Sequence, residues 1–319
     1  MPTDTTLIVN PMARAGWLKQ KWPLIEPILQ RTLGPLEIVF TQRQGDGRPL
    51  ARQALESGAK LVLAMGGDGT ASEVASGILE HQDRVAAGEP VASFGIIPAG
   101  TGGDLGRTLG TPRDIEQAAQ KVAGSPGRLI DAGRITHVTH DGQTTSGYFI
   151  NVAGAGVSGL VDVYANESKK PLGGRVAYFW ASLRGTLHYK NALVRVRIDD
   201  KPAMELRAYL IAAANGGYFG AGMHVAPGAA IDDGLLDVVL IGDLSFPEKV
   251  NLGRHIYAGT HIDLPKISCL RGRSVTVEPI DATDGSTQVH PVLLDVDGEA
   301  PGRLPATFTI LPKALRLRG

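Results

Sequence analysis

The sequence has one cysteine, no excess of either charge and no long hydrophobic run. A single thiol, Cys269, excludes an intrachain disulfide and any metal site built from several thiolates. Its 32 basic side chains are balanced by 32 acidic ones, which argues against a general nucleic-acid binder because phosphate neutralisation requires a basic excess. The longest apolar run, 208–214, is far shorter than the ~20 residues of a spanning helix. The first ten residues lack the basic and apolar regions of a secretory signal, so we expect a cytoplasmic protein.

Glycine, in contrast, is abundant. The chain contains 41 glycines, roughly twice the ~7% average usage. They cluster between apolar runs rather than in a repetitive tract. Such positions are typical of tight turns or of close backbone approach.

The first third of the chain alternates between strand-like and helix-like patterns. Apolar runs predict strands at 7–9, 36–40, 61–65 and 94–97, and amphipathic segments between and after them predict helices. Strands that alternate with helices every ~25–30 residues indicate βαβ units and a parallel sheet. We therefore predict a doubly wound α/β domain over 1–132.

After Asp131 the pattern changes to strands with few helices between them. Predicted strands lie at 134–139, 148–153, 193–198, 206–214, 236–241, 274–279 and 292–297. This succession favours a second, mostly antiparallel β-sandwich or barrel domain over 133–305. A further strand at 308–311 can return to the first domain, and we assign the segment 306–319 to that return.

The sharpest local motif is the loop from Gly66 to Thr70, which follows a predicted strand and precedes a predicted helix. Backbone N–H groups at a glycine-rich helix N-terminus bind phosphate, and Asp68 can position Mg²⁺ beside it. For an isolated loop of this kind, a tight turn with Thr70 as the helix cap is the simpler interpretation.

A second glycine loop changes that balance. Residues 98–104 follow the next predicted strand and repeat the glycine, threonine and aspartate content, while Asn10 and Thr41 follow two other strands. In an open α/β sheet, ligands bind outside the carboxyl ends of the strands. The sequence therefore predicts a phosphate-binding site at this edge.

Other motifs allow two interpretations. The segment 154–159 matches a dinucleotide fingerprint, but without a convincing βαβ unit we interpret it as a structural turn. The acidic segments around Asp233 and at Asp297-Gly298-Glu299 are either solvated turns or, respectively, a cation site and a general base. Patterns of P-loop kinases, zincins and α/β-hydrolases are absent from the sequence.

A basic amphipathic segment lies in the second half. From Lys169 to Arg197 the chain carries seven Lys or Arg and no Asp or Glu. Val176, Trp180, Leu183 and Leu187 form one apolar helical stripe within it. This pattern is typical of a helix on an anionic membrane surface, and equally of a core-facing helix with a solvated basic side.

Taken in order, these motifs resemble those of the soluble bacterial diacylglycerol kinase-like lipid kinases, which are related to sphingosine and ceramide kinases. The likeness covers essentially the whole chain. It rests on Asn10-Pro11, the two glycine loops, Asn215-Gly216, Asp233 to Asp237, Asp297-Gly298-Glu299 and the closing 310–315 segment. The resemblance implies a nucleotide domain like those of phosphofructokinase and NAD kinase, followed by a β-rich domain for the lipid.

The resemblance also implies roles for individual residues. Glu299 would accept the proton of a lipid hydroxyl, with Asp297 as a rival for that role. A Mg²⁺-type cation would be held by the backbone carbonyls of Ala230 and Leu235 and the side chain of Asp233. With Asn10 from the strand-end argument, the expected ATP contacts are Asn10, Thr41, Gly67, Asp68, Gly69, Thr70, Ala71, Ser72, Glu73 and Thr101.

Two positions depart from the family pattern, since Ser72 and Gly103 stand where the family usually has asparagine. The expected activity is transfer of the γ-phosphate of ATP to a lipid such as diacylglycerol or phosphatidylglycerol, with peripheral contact to an anionic membrane through the segment from Lys169 to Arg197. Two alternatives stay open: an NAD kinase-like enzyme with a soluble acceptor, and a non-catalytic nucleotide- or lipid-binding regulator. The identity of the lipid and the oligomeric state do not follow from the sequence.

Overall fold

The computed structural model describes residues 4–85, 90–167, 174–280 and 291–319, with the backbone alone at 166–167 and 174–179. The chain divides into two compact units, Met1–Ala132 with Pro312–Gly319, and Gly133–Leu311. Within the described ranges, no helix combines the length and the apolar character that crossing a membrane requires.

The first part of the chain alternates strands and helices. In chain order it forms β1 (Thr5–Val9), α1 (Trp17–Leu33), β2 (Glu37–Phe40), α2 (Gly47–Glu56), β3 (Leu61–Gly66), α3 (Asp68–Arg84), β4 (Ser93–Pro98), α4 (Asp104–Leu109) and α5 (Ile115–Gly124). The remainder forms β5 (Arg128–Thr139), β6 (Thr144–Phe149), β7 (Val152–Gly156), α6 (Val157–Glu167), α7 (Gly174–His188), β8 (Ala192–Ile198), β9 (Met204–Ala208), β10 (Leu210–Ala214), β11 (Leu236–Ile241), α8 (Phe246–Ala258), a 3₁₀ turn (Thr260–Asp263), β12 (Ile267–Gly272), β13 (Ser274–Pro279), β14 (Leu294–Val296) and β15 (Gly302–Leu317).

A parallel sheet forms the centre of the first unit. Its order is β2, β1, β3, β4 and then the end of β15, where Leu317 pairs with Phe94. Leu7 stands opposite Ile38 on one side and Leu63 on the other, which sets the register. The strands are continuous apolar runs because both faces of a parallel sheet are covered.

Helices cover both faces of this sheet. Leu7 and Leu63 pack on one face against Leu29 of α1 and Val122 of α5. Alternate strand residues such as Ile8 point to the other face and are equally buried. There α2 and α3 pack against each other and against β1 and β3. The prediction of a doubly wound α/β domain is confirmed.

Two antiparallel layers build the second unit. One is a five-stranded sheet in the order β12, β11, β10, β7, β14. The other places β13 between β15 and β8, with β9 beside β8 and the hairpin of β5 and β6 joined to β15. One core lies between the layers, where the rings of Phe149 and Phe308 meet edge to face at 6.4 Å. The prediction of a mostly antiparallel β-sandwich is confirmed.

A second core lies on the outer face of the five-stranded sheet. Val161 of α6, Ala181 of α7 and Leu252 of α8 pack there against strand residues such as Leu210. The apolar stripe from Val176 to Leu187 predicted the helix that becomes α7, whereas α6 and α8 were not predicted. One signal was available for α8, because Ser245 and Glu248 form a capping box directly before it.

Strand boundaries in the second unit differ from prediction at two places. The strand predicted at 148–153 is broken between β6 and β7, and the strand predicted at 206–214 is divided at Tyr209 into β9 and β10, which belong to different sheets. The strand β12 was not predicted. The sequence does not show such breaks, because hydrogen bonds from residues far along the chain produce them, and no strand-breaking residue marks them within an apolar run.

The last strand, β15, contributes to both units. Its residues 306–309 pair with β13 inside the second unit, whereas Arg316 and Leu317 pair with β4 inside the first. The C-terminal residues that belong to the first unit are Pro312–Gly319. The structure thus begins the return later than the predicted 306–319 segment.

Candidate active site

The carboxyl ends of β1 to β4 meet at one edge of the parallel sheet, as the sequence predicts. The backbone N–H of Asn10 donates to the carbonyl of Met65 at 2.9 Å, and that of Thr41 donates to Val9 at 2.9 Å. The Asn10 side-chain amide donates to the hydroxyl of Thr70 at 3.2 Å. The structure therefore brings Asn10, Thr41 and the first glycine loop to the same edge.

Close approach of the two glycine loops explains their composition. The backbone N–H of Ala99 donates to the carbonyl of Gly66 at 2.8 Å. A Cβ atom on Gly100 would overlap the Cα of Gly67, and a Cβ on Gly66 would overlap the Thr70 hydroxyl. A side chain on Gly100 would separate the two loops, and one on Gly66 would displace Thr70 within its own loop, so packing requires glycine at both positions.

Asp68 joins the two loops through its carboxylate. One oxygen accepts the backbone N–H of Gly103 at 2.8 Å, and the other accepts that of Leu105 at 3.0 Å. The side chain thereby caps the start of α4, which has no cap from its own chain neighbour. Gly103 has φ 73°, a left-handed conformation that glycine and asparagine adopt most readily. Glycine at this position is therefore compatible with the backbone geometry of the loop.

Glu73 performs a similar role for the loop after β2. Its carboxylate oxygens accept the backbone N–H of Gly45 at 2.9 Å and of Gly47 at 2.8 Å, at the start of α2. The side chain is buried. Glu73 thus fixes the segment that follows Thr41, while Ala71 and Ser72 lie with it in the first turns of α3.

Arginines that the sequence analysis did not single out as site residues surround the second loop. Arg14 donates to the carbonyl of Gly100 at 3.2 Å, while Arg107 and Arg113 donate to that of Gly102 at 3.0 and 3.3 Å. Arg14 and Arg113 also line a small pocket of about 30 Å³ between the glycine loops. Positive charge beside a glycine-lined helix start favours an anionic ligand. The sequence offers one indication for Arg14, because it lies four residues after Asn10, a predicted site residue at the end of the first strand.

In the second unit, Asp297 and Gly298 form a two-residue hairpin turn. The backbone groups of Val296 and Glu299 exchange hydrogen bonds of 2.8 and 3.1 Å across it. Both turn residues have positive φ, 51° and 87°. This is the type I′ geometry that Asp-Gly favours, so the turn is fixed by its own sequence.

Asp297 connects this turn to the junction of β6 and β7 through hydrogen bonds. Its carboxylate accepts the backbone N–H groups of Ile150 at 2.9 Å, Asn151 at 3.0 Å and Val152 at 3.0 Å. These bonds explain why the strand predicted at 148–153 is broken. Asn215, which is fully buried, donates from its side chain to the carbonyl of Ile150 at 2.8 Å and supports the same junction.

Of the predicted cation ligands, Asp233 would use its side chain, whereas Ala230 and Leu235 would use backbone carbonyls. One Asp233 oxygen accepts the backbone N–H of Leu235 at 3.0 Å, and the other forms an ion pair with Arg271. A cation at this site would have to share or replace the contact with that guanidinium, and the site stays a prediction. In the described ranges, no group of three or more His, Cys, Asp or Glu side chains is arranged to hold a metal.

A large apolar pocket lies in the second unit, and the sequence analysis did not predict it. Its volume is about 570 Å³, and side chains of α6, α7 and α8 form much of its wall. Leu183, Phe246, Val250 and Tyr257 line it and are also exposed at its rim. Ser158 lines the same pocket and is itself buried. A pocket of this size and character suits an apolar ligand.

The described part of the basic amphipathic segment is exposed. On α7, Trp180 is 60% exposed, Leu183 39% and Leu187 57%, so this stripe does not face the core. Arg184 lies over the Tyr164 ring at 4.0 Å. Lys169 and Lys170, and the side chains of Arg175, Val176 and Phe179, lie outside the described residues.

The fingerprint-like segment at 154–159 has a packing role. It spans the junction of β7 and α6, and β7 pairs antiparallel with both β10 and β14, as expected for a segment outside a parallel βαβ unit. A Cβ on Gly159 would lie 2.5 Å from the carbonyl carbon of Leu293, and one on Gly154 would overlap the backbone oxygen of Ile211. Its interpretation as a structural element agrees with these contacts.

Comparison with known proteins matches both parts of the chain. Residues 4–135 match the diacylglycerol kinase catalytic domain, and residues 151–319 match the YegS C-terminal NAD kinase beta sandwich-like domain. Diacylglycerol kinases of Mycobacterium tuberculosis and Staphylococcus carnosus are 29% and 26% identical, over 98% of this chain and 94% and 93% of theirs. A crystal structure of a Bacillus anthracis protein assigned to the diacylglycerol kinases superposes with TM-score 0.74 at 25% identity, covering 98% of this chain and 96% of that one.

Proposed function

Because the chain belongs to the diacylglycerol kinase family, we propose that it transfers the γ-phosphate of ATP to a hydroxyl group of a membrane lipid. The observation that carries the lipid assignment is the apolar pocket of about 570 Å³ in the second unit. A soluble phosphate acceptor has no use for such a pocket, whereas acyl chains require one. Diacylglycerol and phosphatidylglycerol both combine acyl chains with a free hydroxyl.

In this proposal the two glycine loops bind ATP, the phosphate donor, and we call this the donor site. Helix α3 starts at Asp68 with glycine as its cap residue and no side-chain cap, so its first backbone N–H groups suit phosphate oxygens. Arg14 and Arg113 place positive charge on the same pocket. Fixed donors of this kind stabilise the charge that develops during phosphoryl transfer. Thr41, Thr70 and Thr101 remain the proposed polar contacts of ATP.

Asp68 suits Mg²⁺ carried by the nucleotide. Each Asp68 oxygen accepts one backbone N–H, and a carboxylate oxygen has a second lone pair. Nucleotide-bound Mg²⁺ needs only one or two protein carboxylates, because phosphates and waters complete its shell. When bound, the ion neutralises phosphate charge.

We assign the proton acceptor to Glu299 rather than Asp297. Asp297 accepts three backbone N–H groups at the β6–β7 junction, and its task is to hold the turn. Glu299 follows the turn with a half-buried side chain. A positioned general base contributes roughly 10²–10⁴ in rate. Glu299→Gln should therefore lower kcat by that factor and leave ATP binding unchanged.

The exposed apolar side chains around the pocket support docking on an anionic membrane. Trp180 and Leu187 on α7, and Phe246, Val250 and Tyr257 on α8, are between 56% and 60% exposed. Phe246, Val250 and Tyr257 line the pocket that would receive the acyl chains, and Trp180 and Leu187 lie on α7, which contributes Leu183 to the same pocket. The basic residues between Lys169 and Arg197 would add electrostatic attraction, about 1 kcal/mol for each Lys or Arg near the surface.

The experiment is phosphate transfer from labelled ATP·Mg²⁺ to detergent-dispersed diacylglycerol, phosphatidylglycerol, monoacylglycerol and a sphingoid base, with NAD in parallel. Labelled lipid that disappears with Glu299→Gln, but not with the exposed control Glu278→Gln, supports the proposal. Label in NADP would instead favour an NAD kinase-like activity. ATP binding with no transfer to any acceptor would favour the non-catalytic regulator.

A further inference from the structure

Two buried carboxyl groups lie beside the acidic turn and have no part in the reaction described so far. Asp162 of α6 is 4% exposed and Asp295 of β14 is 5% exposed. Their side chains hydrogen-bond to each other. Helix α6, which carries Asp162, packs against β14, and Asp295 lies two residues before Asp297.

A hydrogen bond between two carboxyl groups requires a proton on one of them, because carboxylates only accept. The Asp162 Oδ2 atom is buried and receives no donor from the described residues, so it is the place for that proton. Burial, then Asp295, raise the pKa of Asp162 well above its usual value. Burial likewise raises the pKa of Asp295 to about 6. The pair therefore binds one proton near neutral pH.

Among the residues that the structure describes, the charged groups that act on the pair are acidic. The turn contributes two further acids, since Asp297 acts on Asp295 and Glu299 acts on Asp162. The strand β7 has no charged residue. On α7, Arg184 stacks on Tyr164. The buried hydroxyl of Ser158 lies near Asp295 without a well-formed hydrogen bond to any described residue.

Asp295 connects the pair to the turn. Its Oδ1 atom accepts the backbone N–H of Gly298 at 2.9 Å. Gly298 separates Asp297 from Glu299, so the orientation of the Asp295 carboxyl helps to set that of Glu299. If the pair lost its proton, two buried negative charges would repel each other and displace Asp295 from Gly298.

We propose that Asp162 and Asp295 share one proton and act together as positioning residues for Glu299. The kinetic part of this inference rests on the proposed function, in which Glu299 is the base. The structural part does not, because the shared proton must also appear in the pH dependence of stability.

The test compares Asp162→Asn with Asp162→Ala in the full chain. The asparagine amide donates permanently to Asp295 and imitates the protonated pair, whereas alanine removes the donor. We expect Asp162→Asn to keep wild-type kcat, and Asp162→Ala to lower kcat by up to about 10²-fold, the scale of a small misplacement at a reacting centre. The KM for ATP should stay unchanged in both, since the nucleotide loops belong to the first unit.

Denaturant unfolding between pH 4 and 8.5 tests the proton itself. An acid whose folded pKa is raised favours the protonated native state, so wild-type stability falls as pH rises from the unfolded value of ~3.9 to the folded one. The stability advantage of Asp162→Asn over wild type should therefore grow across that interval and then level off. Asp263→Asn, an exposed change in the same unit, should run parallel to wild type.

Either of two results would overturn the inference. One is an Asp162→Asn stability curve parallel to wild type at every pH. The other is an equal loss of kcat in Asp162→Asn and Asp162→Ala. If Asp162→Ala does not fold, the asparagine variant alone decides both readouts. A wild-type protein without any kinase activity would refute the proposed function, while the unfolding data would still decide whether the proton is shared.

Discussion

The carboxylate of Asp68 accepts the backbone N–H of Gly103 at 2.8 Å, and this bond ties the loop after β3 to the loop after β4. The second oxygen binds the N–H of Leu105 in the same way. A residue that we expected to face phosphate or Mg²⁺ thus also holds the two phosphate loops together. The shape of the donor site depends on this one side chain.

Asp68→Ala should both destabilise the protein and weaken ATP binding. Two backbone N–H groups lose their acceptor, and each unsatisfied group costs about 1–3 kcal/mol where water cannot replace it. Asp68→Asn retains one acceptor oxygen and should fall between alanine and wild type. Denaturant unfolding and nucleotide titration measure the two effects, with the exposed Glu56→Gln as control. Unchanged stability in Asp68→Ala would contradict the role given to these bonds.

Gly100→Ala should disrupt the donor site through backbone collision. The new Cβ would overlap the Cα of Gly67, and neither backbone can yield without separating the loops. Overpacking of this kind costs about 1–3 kcal/mol. Gly124→Ala is the matched control, since a Cβ there meets no atom within 4 Å. Equal unfolding midpoints and equal ATP affinities for the two variants would refute this packing argument.

Arg14→Gln should raise the KM for ATP by about tenfold, equivalent to ~1.4 kcal/mol, with a smaller effect on kcat. The Arg14 side chain lines the pocket between the glycine loops, and its guanidinium donates to the carbonyl of Gly100. The effect should shrink at high salt because the side chain is exposed. Arg31→Gln, at an exposed ion pair with Glu116, serves as control. A KM that does not change would remove Arg14 from the donor site.

Trp180→Ser combined with Val250→Ser should weaken binding to vesicles that contain phosphatidylglycerol. Both side chains are exposed, and Val250 lines the apolar pocket. Transfer of such a side chain out of water contributes about 1.5–3 kcal/mol. Met204→Ser, an exposed apolar change on β9, is the control. Vesicle sedimentation that is the same for all three proteins, or that ignores lipid charge and salt, would exclude this surface as the membrane contact.

The start of α8 should lose stability only in strong acid. Hydrogen bonds from Ser245 and Lys266 lower the pKa of Glu248 to about 2. A lowered pKa stabilises the native state above the unfolded value, and that contribution disappears as pH falls from 4.5 toward 2. Glu248→Gln should abolish this acid-dependent part of the unfolding curve. A variant with the same acid profile as wild type would show that the capping box does not contribute.

The fold was predictable wherever the hydrophobic periodicity of a strand or of a helix dominates a segment. Alternation of buried strands and amphipathic helices identifies the parallel sheet. The polar residues at its strand ends identify the edge of the sheet where the ATP phosphates are predicted to bind. The break between β6 and β7 was not predictable, because Asp297, far along the chain, supplies the hydrogen bonds that produce it. The division at Tyr209 lacks any local signal for the same reason.

The candidate site was predictable in its composition but less so in its contacts. The sequence identifies Glu73 as a site residue, yet the structure engages its carboxylate with Gly45 and Gly47. Arg14 reaches the second loop only through the tertiary fold, and the apolar pocket is assembled from three helices that are separated in the chain. Local sequence patterns do not show which distant residues the fold brings into contact.

The two-unit course of β15 has a consequence for biosynthesis. Arg316 and Leu317 complete the sheet of the first unit, and the backbone N–H of Lys313 donates to the buried Asp131 at 2.7 Å. While a ribosome is still translating the second unit, β4 has no partner along one side. An unpaired strand edge invites pairing with other nascent chains. The N-terminal half should therefore depend on chaperones until translation is almost finished, although it contains most of its own core.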